Sequence, residues 1–387
     1  MSYSTSKYLI TVTSSLLLIS MNSIYATATA TATATASEVS VVSPLQPENG
    51  LREAAEQYLM HFPSINGIDG RTLREDTAAV FIPFGVAPKG GWPVVVWAHG
   101  TVGVASNCAP SLNPRSDRDK QYLNTWLSLG YAIVAPDYAG LGSSGLHHYL
   151  HARSEAWSVL DGVRAALKHF PLKNQIILVG QSQGAHAAFA SAGYQPEYAP
   201  ELNISATVLT GIPFFKKGMS AIDILPPNVS GEIQTGGDPK IPYIFYIYLS
   251  AAVNNPQLNA ANYFQDKAMN LLKDADKLCI TQLNHQVMKF GLNSANSIKP
   301  SIQSLLDSSL ETMAYPTLKV NHPVFIGIGS ADINVPTDMQ IRFSDAVRNA
   351  GTQVDVHLYE GLDHSGTVNP SLRDSLPFLN KVLHSRK

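Results

Sequence analysis

Short apolar segments alternate with helical patterns from about residue 77 to the C-terminus, and this alternation constrains the fold more than any other feature. The clearest segment is Val94-Val95-Val96-Trp97, a continuous apolar run that suits a strand buried on both faces. Further strands are predicted at residues 78–84, 132–135, 175–179, 206–210, 324–328 and 354–359, and helices at 122–129, 155–170, 184–192, 338–349 and 371–385. This alternation predicts an α/β fold with a mostly parallel sheet and helices on both faces.

One long interval, between the predicted strands at 206–210 and 324–328, interrupts the alternation. It contains an aromatic-rich run at 241–249 and a helical pattern near 261–278. We therefore expect a mainly helical cap, inserted at about residues 212–320 into a domain that spans 46–387. The aromatic run either faces lipid as a lid or forms the buried core of the cap, and the core is favoured.

The N-terminal segment has the features of an export signal. Lys7 is the only charged residue before Glu38, an apolar run follows it, and the small residues Ala26-Thr27-Ala28 come next. This order predicts a cleaved signal peptide at residues 1–28, followed by an Ala/Thr-rich linker at 29–45. The apolar run is too short and too polar for a typical membrane span, so a secreted or periplasmic protein is expected.

The two cysteines, Cys108 and Cys279, bear on the same question. An even number of cysteines in an oxidising compartment favours a disulfide, which here would join residues 279 − 108 = 171 positions apart. Two unrelated buried thiols are the alternative.

Charge and ligand spacing exclude several classes of partner. The net charge is −2, which gives no reason to expect a nucleic acid. His147, His148 and His151 lie close together in the sequence, but no cysteine or carboxylate at ligand spacing completes a metal site. No metal and no cofactor are therefore predicted.

The strongest motif is Gly180-Gln181-Ser182-Gln183-Gly184, which matches the G-x-S-x-G nucleophile elbow. An apolar strand precedes the motif and a helix of small residues follows it, as the elbow requires. A side chain at either glycine would clash in so tight a turn, and the turn exposes the serine oxygen. The N-terminus of the following helix also favours developing negative charge. Ser182 is therefore the predicted nucleophile.

A catalytic base and acid are expected downstream of the nucleophile. His364 lies in a loop after the last predicted strand, from which its ring can reach over the sheet edge to the elbow. Asp332 follows the preceding strand, where a carboxylate would hold the imidazole tautomer. Asp338 is the competing acid, but it lies where a helix N-terminus would use it as a cap. The predicted triad is Ser182, Asp332 and His364.

An oxyanion hole requires two backbone N–H groups. One is predicted to come from Gln183, the residue after the nucleophile. The other is predicted from the loop after the Val94–Trp97 run, with Thr101 as the donor and Val102 as the alternative.

Several motifs together resemble the secretory lipases, the family that includes the yeast lipase A enzymes. They are Asn107-Cys108-Ala109-Pro110-Ser111, Asp137-Tyr138-Ala139-Gly140-Leu141-Gly142, the helix that begins Arg153-Ser154-Glu155-Ala156, and the elbow continued as Ala185-His186. The resemblance runs from about residue 93 to 364 and implies an α/β-hydrolase fold, lipase or esterase activity, a helical cap and a disulfide that uses Cys108. The family usually has Gly where this chain has Ala185. His186 is interpreted as a packed histidine behind the elbow.

These residues together predict a serine hydrolase that cleaves carboxylic esters through an acyl-enzyme. The expected partner is a small-molecule or lipid ester, and a transient contact with a lipid surface stays open, as do the acyl chain length and the oligomeric state. Two alternatives remain: a serine peptidase on the same fold, and a non-catalytic binding protein that kept the fold.

Overall fold

The computed structural model describes residues 1–2, 39–221 and 236–384. Its nine strands form one sheet in the order β1-β2-β3-β5-β4-β6-β7-β8-β9. The strands are β1 (Val41–Pro44), β2 (Ala54–Ile65), β3 (Leu73–Pro83), β4 (Trp92–Ala98), β5 (Ala132–Pro136), β6 (Leu172–Gln181), β7 (Ile204–Thr210), β8 (Val324–Gly329) and β9 (Val354–Tyr359). The first three strands pair antiparallel, and β3 pairs antiparallel with β5; the remaining six are parallel to one another.

Ten α-helices accompany the sheet in the described residues. They are α1 (Asp117–Ser128), α2 (Ala152–His169), α3 (Gln183–Tyr198), α4 (Ile241–Asn254), α5 (Asp266–Asp274), α6 (Ile280–Phe290), α7 (Ser294–Ser297), α8 (Ile302–Met313), α9 (Thr337–Asn349) and α10 (Leu372–His384). The same residues include three short 3-10 helices, at Pro47–Asn49, Ser106–Cys108 and Ala260–Asn262. The helical pattern predicted near 261–278 is thus divided between a 3-10 turn and α5.

Strand β4 explains why helices cover both faces of the sheet. Successive side chains of a strand point to opposite faces. Val94 and Val96 pack in a core with α2, α3 and α9. Val95 and Trp97 pack in a second core, on the opposite face, with α1 and α10. The apolar run of β4 is therefore buried on both faces of the sheet. The predicted arrangement, a sheet with helices on both faces, is confirmed.

The insertion between β7 and β8 has a hydrophobic core of its own. Helices α4, α5, α6 and α8 contribute to a third apolar cluster, separate from the two on the sheet, which also includes Val104, Tyr149 and Leu150. Phe245 and Tyr246 from the aromatic run are fully buried, and the Phe245 ring lies 5.4 Å from the Phe264 ring. The aromatic run thus forms the core of the cap. An inserted helical cap is confirmed.

The N-terminal part of the sheet departs from the sequence prediction. The linker predicted at 29–45 is wrong at its end, because Val41–Pro44 forms β1 and pairs with Tyr58–His61 of β2. Strand β2 was not predicted, since Glu56, Gln57, His61 and Ser64 interrupt its apolar residues and obscure the strand pattern. The predicted signal peptide lies almost entirely outside the described residues. In the described ranges, no helix has the length and apolar character of a membrane span.

Candidate active site

Ser182 occupies a strained turn between β6 and α3. Its backbone has φ 59° and ψ −123°, a conformation that a non-glycine residue rarely adopts and that is concentrated at functional sites. A Cβ at Gly180 would collide with the Gly184 carbonyl, and one at Gly184 would collide with the Ala98 carbonyl. Both glycines are therefore required by backbone contacts, and the turn presents the Ser182 side chain at the end of the sheet.

His364 lies in the loop after β9 and binds Asp332, which follows β8. The distance from His364 Nδ1 to Asp332 Oδ2 is 2.7 Å. The Asp332 carboxylate is only 5% exposed, and it also accepts hydrogen bonds from the backbone N–H groups of Asn334 and Val335 and from Gln340 Nε2. Since the carboxylate can only accept, His364 donates from Nδ1, and in the neutral ring Nε2 is left free to take a proton.

The end of β7 brings the imidazole to the elbow. Ser182 N–H donates to the Thr210 carbonyl at 3.0 Å, so the elbow and the end of β7 lie side by side. A Cβ at Gly211 would come within 2.7 Å of His364 Cε1. The missing side chain at Gly211 therefore makes room for the ring. Ser182 and His364 consequently line one cavity of about 460 Å³.

The predicted oxyanion donors flank the same serine. Gln183 is the first residue of α3, and Thr101 lies in the loop after β4. Thr101 lines the cavity that contains Ser182, and its hydroxyl lies 2.8 Å from the Tyr149 hydroxyl. Neighbouring His99 is buried, and burial lowers its pKa to about 4, so its ring is neutral and serves the packing of the loop.

Two cavities meet at Ser182. The first, which we call the polar cavity, is the one of about 460 Å³, and it is lined mainly by the loop after β4, the segment before α1 and the His364 loop. The second, the apolar cavity, has about 130 Å³. Its lining is dominated by apolar side chains: Leu150, Pro213, Phe215, Ile244, Ile247, Leu306, Met313, Val335, Pro336 and Met339. Ser182, Tyr243 and Asn334 line both cavities, and Asn334 Nδ2 lies 3.4 Å from the Tyr243 hydroxyl.

A buried polar network lies behind the elbow, where the sequence predicted only a packed histidine. His186 Nδ1 is 2.9 Å from Glu155 Oε2, and His186 Nε2 is 2.7 Å from the Met313 carbonyl of the cap. Gln183 Nε2 donates to Glu155 Oε1 at 2.8 Å. Burial acts to raise the pKa of Glu155, but hydrogen bonds and charge from His147 and His186 outweigh it and lower that pKa. The network joins the elbow to the end of α8.

The predicted disulfide is confirmed and connects the polar cavity to the cap. Cys108 and Cys279 are bonded across a sequence separation of 171 residues. Ile280, the first residue of α6, donates its N–H to the Val102 carbonyl at 2.7 Å. The loop that carries Thr101 is therefore held to the cap at two places.

No group of three or more potential metal-ligating side chains occurs in residues 39–221 and 236–384. The histidine-rich segment 147–151 is instead divided among separate contacts. His147 Nε2 lies 2.7 Å from Gln183 Nε2, and His148 Nδ1 lies 3.3 Å from Asn254 Nδ2.

Family models match two parts of the chain. Residues 109–224 match the secretory lipase family, and residues 304–372 match the dienelactone hydrolase family. The first match includes the elbow, and the second includes Asp332 and His364. The resemblance to the secretory lipases that the motifs predicted is confirmed over the first of these segments.

Curated relatives are fungal lipases. Lipase A of Moesziomyces aphidis is 32% identical over 157 residues, which are 37% of this chain and 32% of that protein. Lipase 7 of Candida albicans is 34% identical over 156 residues, 39% of this chain and 32% of that protein. A secreted triacylglycerol lipase of Malassezia furfur, LIP5, is 27% identical over 266 residues, 62% of this chain and 63% of that protein. The chain thus spans about a third of the length of the first two.

Solved structures agree on the fold. Candida antarctica lipase A in its closed state superposes with a TM-score of 0.70 at 20% identity, covering 90% of this chain and 83% of that one. The rice cell wall degrading esterase LipA from Xanthomonas oryzae superposes with a TM-score of 0.67 at 18% identity, covering 90% and 98%. At these identities the likeness concerns architecture alone, and it confirms the α/β-hydrolase fold.

Proposed function

We propose that this chain is an exported serine hydrolase that cleaves carboxylic esters of the lipid or small-molecule type. The observation that carries the proposal is the position of Ser182, which lines one cavity together with His364, while the Nδ1 atom of His364 lies 2.7 Å from Asp332. A strained elbow serine beside a histidine oriented by a buried carboxylate is the arrangement of a serine triad.

In the proposed reaction, Ser182 Oγ attacks the ester carbonyl while His364 Nε2 takes the hydroxyl proton. Asp332 holds the imidazole and stabilises its charged form. The backbone N–H groups of Gln183 and Thr101 stabilise the oxyanion. The alcohol then leaves with the proton from His364, and a water molecule, activated by the same histidine, hydrolyses the acyl-enzyme.

The apolar cavity is proposed to take the acyl chain. Apolar side chains dominate its lining, and it reaches Ser182 from the cap side. Burial of a methylene group contributes about 0.8 kcal/mol, so a cavity of this kind discriminates among acyl chains by length. The names of the relatives, lipases from three fungi, support a lipid ester as substrate.

The division of the chain is part of the same proposal. Residues 1–28 act as a signal peptide that is removed on export, the chain from β1 (Val41–Pro44) onward forms the hydrolase, and about 212–320 form its cap. The secreted lipase of Malassezia furfur among the relatives supports export. Sequencing the N-terminus of the mature protein tests this; an N-terminus at Met1 in the exported protein contradicts it.

The test of the function is hydrolysis of p-nitrophenyl esters from acetate to palmitate. We expect the mature protein to cleave them and Ser182→Ala to lose about a thousandfold or more of kcat. Ser304→Ala, an exposed serine of α8, is the matched control and should retain activity. Comparison of an emulsified with a soluble ester then separates a lipase from an esterase. If no ester is cleaved, the proposal fails, and peptide substrates become the next test.

A further inference from the structure

A buried arginine with two unpaired nitrogen donors lies in the wall of the polar cavity, as far as the described residues show. Arg115, in the segment just before α1, lines this cavity and is only 7% exposed. Within the described part of the chain, its Nε and Nη2 atoms donate to no acceptor. The guanidinium carbon lies 5.3 Å from the centre of the Phe81 ring. Buried arginine donors are almost always paired in proteins, so we expect a ligand to supply the missing hydrogen-bond acceptor.

The carboxylates nearest in charge to Arg115 bind other partners. Asp137 accepts the Thr77 hydroxyl at 2.7 Å and the Ser111 N–H at 2.9 Å. Burial raises the pKa of Asp137 to about 6, which weakens it further as a counterion at mildly acidic pH. Asp119, which also lines the cavity, forms its ion pair at 2.7 Å with Arg118. Neither carboxylate is within ion-pair distance of Arg115.

A second arginine of this cavity bonds to the sequence neighbours of the reacting groups. Arg118 Nη1 is 3.3 Å from the Ser365 hydroxyl, next to His364, and its Nη2 is 3.4 Å from Gln181 Oε1, next to Ser182. Asp119 balances the charge of Arg118, whereas Arg115 interacts with Asp137 and Asp119 only at longer range and forms no direct ion pair in the described residues.

We propose that the polar cavity is a subsite for a carboxylate on the alcohol part of the ester, with Arg115 as the residue that binds it. The inference rests on the proposed function. If the acyl chain occupies the apolar cavity, the alcohol part extends from Ser182 into the polar cavity. The guanidinium is a permanently charged donor in the wall of this cavity, and low solvent access strengthens its hydrogen bond to a carboxylate. Because Nε and Nη2 have almost no accessible surface, the side chain has to turn toward the ligand to use them. The substrates favoured here are esters of hydroxy acids, and the released product is the hydroxy acid.

The experiment compares two esters that differ only in this charge: 4-butanoyloxybenzoate and its methyl ester. We expect the wild type to have a kcat/KM for the carboxylate that is at least equal to that for the methyl ester. In Arg115→Gln, the ratio of the two values should fall about tenfold or more. Arg342→Gln, which changes an exposed arginine of α9, is the matched control and should leave the ratio unchanged. An unchanged ratio in Arg115→Gln overturns the proposal.

A binding measurement that retains Arg115 tests the subsite even if Arg115→Gln fails to fold. Calorimetry on Ser182→Ala compares 4-hydroxybenzoate with uncharged 4-hydroxybenzamide. We expect a dissociation constant about tenfold lower for the benzoate, with the advantage reduced by high salt. Equal affinities, or binding of neither compound, overturn the subsite. If the wild type hydrolyses only the methyl ester, the proposed ester hydrolase activity stands. If it hydrolyses neither ester, that activity is rejected, and calorimetry still tests the carboxylate subsite separately.

Discussion

The apolar and polar cavities open from the same serine but are built from different parts of the chain. Cap helices α4 and α8 supply much of the apolar lining, together with Val335 and Met339 from the sheet domain. Loops of the sheet domain supply most of the polar lining, and Ile280 at the start of α6 is one of the few cap residues there. One cavity therefore depends on how the cap packs, and the other on where the loops after the parallel strands meet.

This difference separates what each region contributes to the site. The side chains of the cap set the length and shape of the apolar cavity. Substituting them by smaller or larger apolar side chains should therefore change its size. The loops of the polar cavity carry fixed backbone donors and two arginine charges. Ser182, with Tyr243 and Asn334 beside it, forms the boundary between them. Changes in the cap should therefore alter acyl selectivity, and changes in the loops should alter chemistry or charge selectivity.

The largest expected effect comes from the centre that both cavities share. Asp332→Asn should lower kcat by about a thousandfold to ten-thousandfold for every ester, because the amide stabilises the wrong tautomer of His364. Steady-state kinetics with one charged and one neutral ester measures this. Asp338→Asn is the matched control, since Asp338 is exposed on α9 and pairs only with Arg342 at 3.5 Å. A larger loss in Asp338→Asn would reverse the assignment of the acid.

The next effect concerns the connection between the two regions. Replacing Cys108 and Cys279 together by Ser should lower the free energy of unfolding by about 3–5 kcal/mol, because the bond closes a long loop of the unfolded chain. Denaturant unfolding measures the change. Reductant should destabilise the wild type to the level of the variant and leave the variant unaltered. If reductant shifts both equally, the effect does not come from this disulfide.

A substitution in the cap should change the selectivity for acyl chains that the apolar cavity provides. Ile247→Trp adds bulk to the apolar cavity, and we expect kcat/KM for octanoate esters to fall about tenfold or more relative to acetate, the equivalent of about two buried methylene groups. A chain-length series of p-nitrophenyl esters gives the ratio. Ile341→Trp, at a position 42% exposed on α9, should leave the series unchanged. An unaltered series in Ile247→Trp would mean that the acyl chain lies elsewhere.

The smallest effect concerns a histidine beside the apolar cavity. His148 lines a third cavity of about 200 Å³, which shares Tyr149, Ile247 and Met313 with the apolar one. Burial, with help from neighbouring cationic groups, lowers the pKa of His148 to about 4. The folded state therefore binds fewer protons than the unfolded state between about pH 6.5 and 4. The contribution of neutral His148 to the free energy of unfolding is complete above pH 6.5 and is lost as the pH falls through this range.

Unfolding measured across that range tests the prediction. The wild type should lose about 1 kcal/mol more per pH unit than His148→Gln in this window. His285→Gln, at an exposed position, should follow the wild type. If the two variants and the wild type have parallel pH profiles, His148 does not change its charge on unfolding.

The sequence was most informative where function depends on local backbone. The elbow requires a strand, two glycines and a helix within a few residues, so Ser182 could be recognised from its neighbours alone. His364 and Asp332 were found in the same way, because each lies directly after a predicted strand. The structure brings His364 into contact with Asp332 and into one cavity with Ser182, but roles of all three remain predictions until kinetics are measured.

The sequence was least informative where partners are distant. Gln340, which holds Asp332, and Glu155, which joins the elbow to the cap, have no local signal that marks them. Strand β1 was assigned to a linker because a short edge strand with mixed exposure has no apolar pattern. The unpaired donors of Arg115 become visible only when the surrounding side chains are in place.

The sequence was sufficient to predict the alternation of strands and helices, an inserted cap, the elbow and the candidate residues that follow the strands. These follow from periodicity and turn chemistry, which act over a few residues. The folded structure was needed to show that Cys108 pairs with Cys279, that the aromatic run forms the core of the cap, and that two unlike cavities meet at Ser182. Those features depend on contacts between different elements of the chain, and packing of the whole chain fixes them.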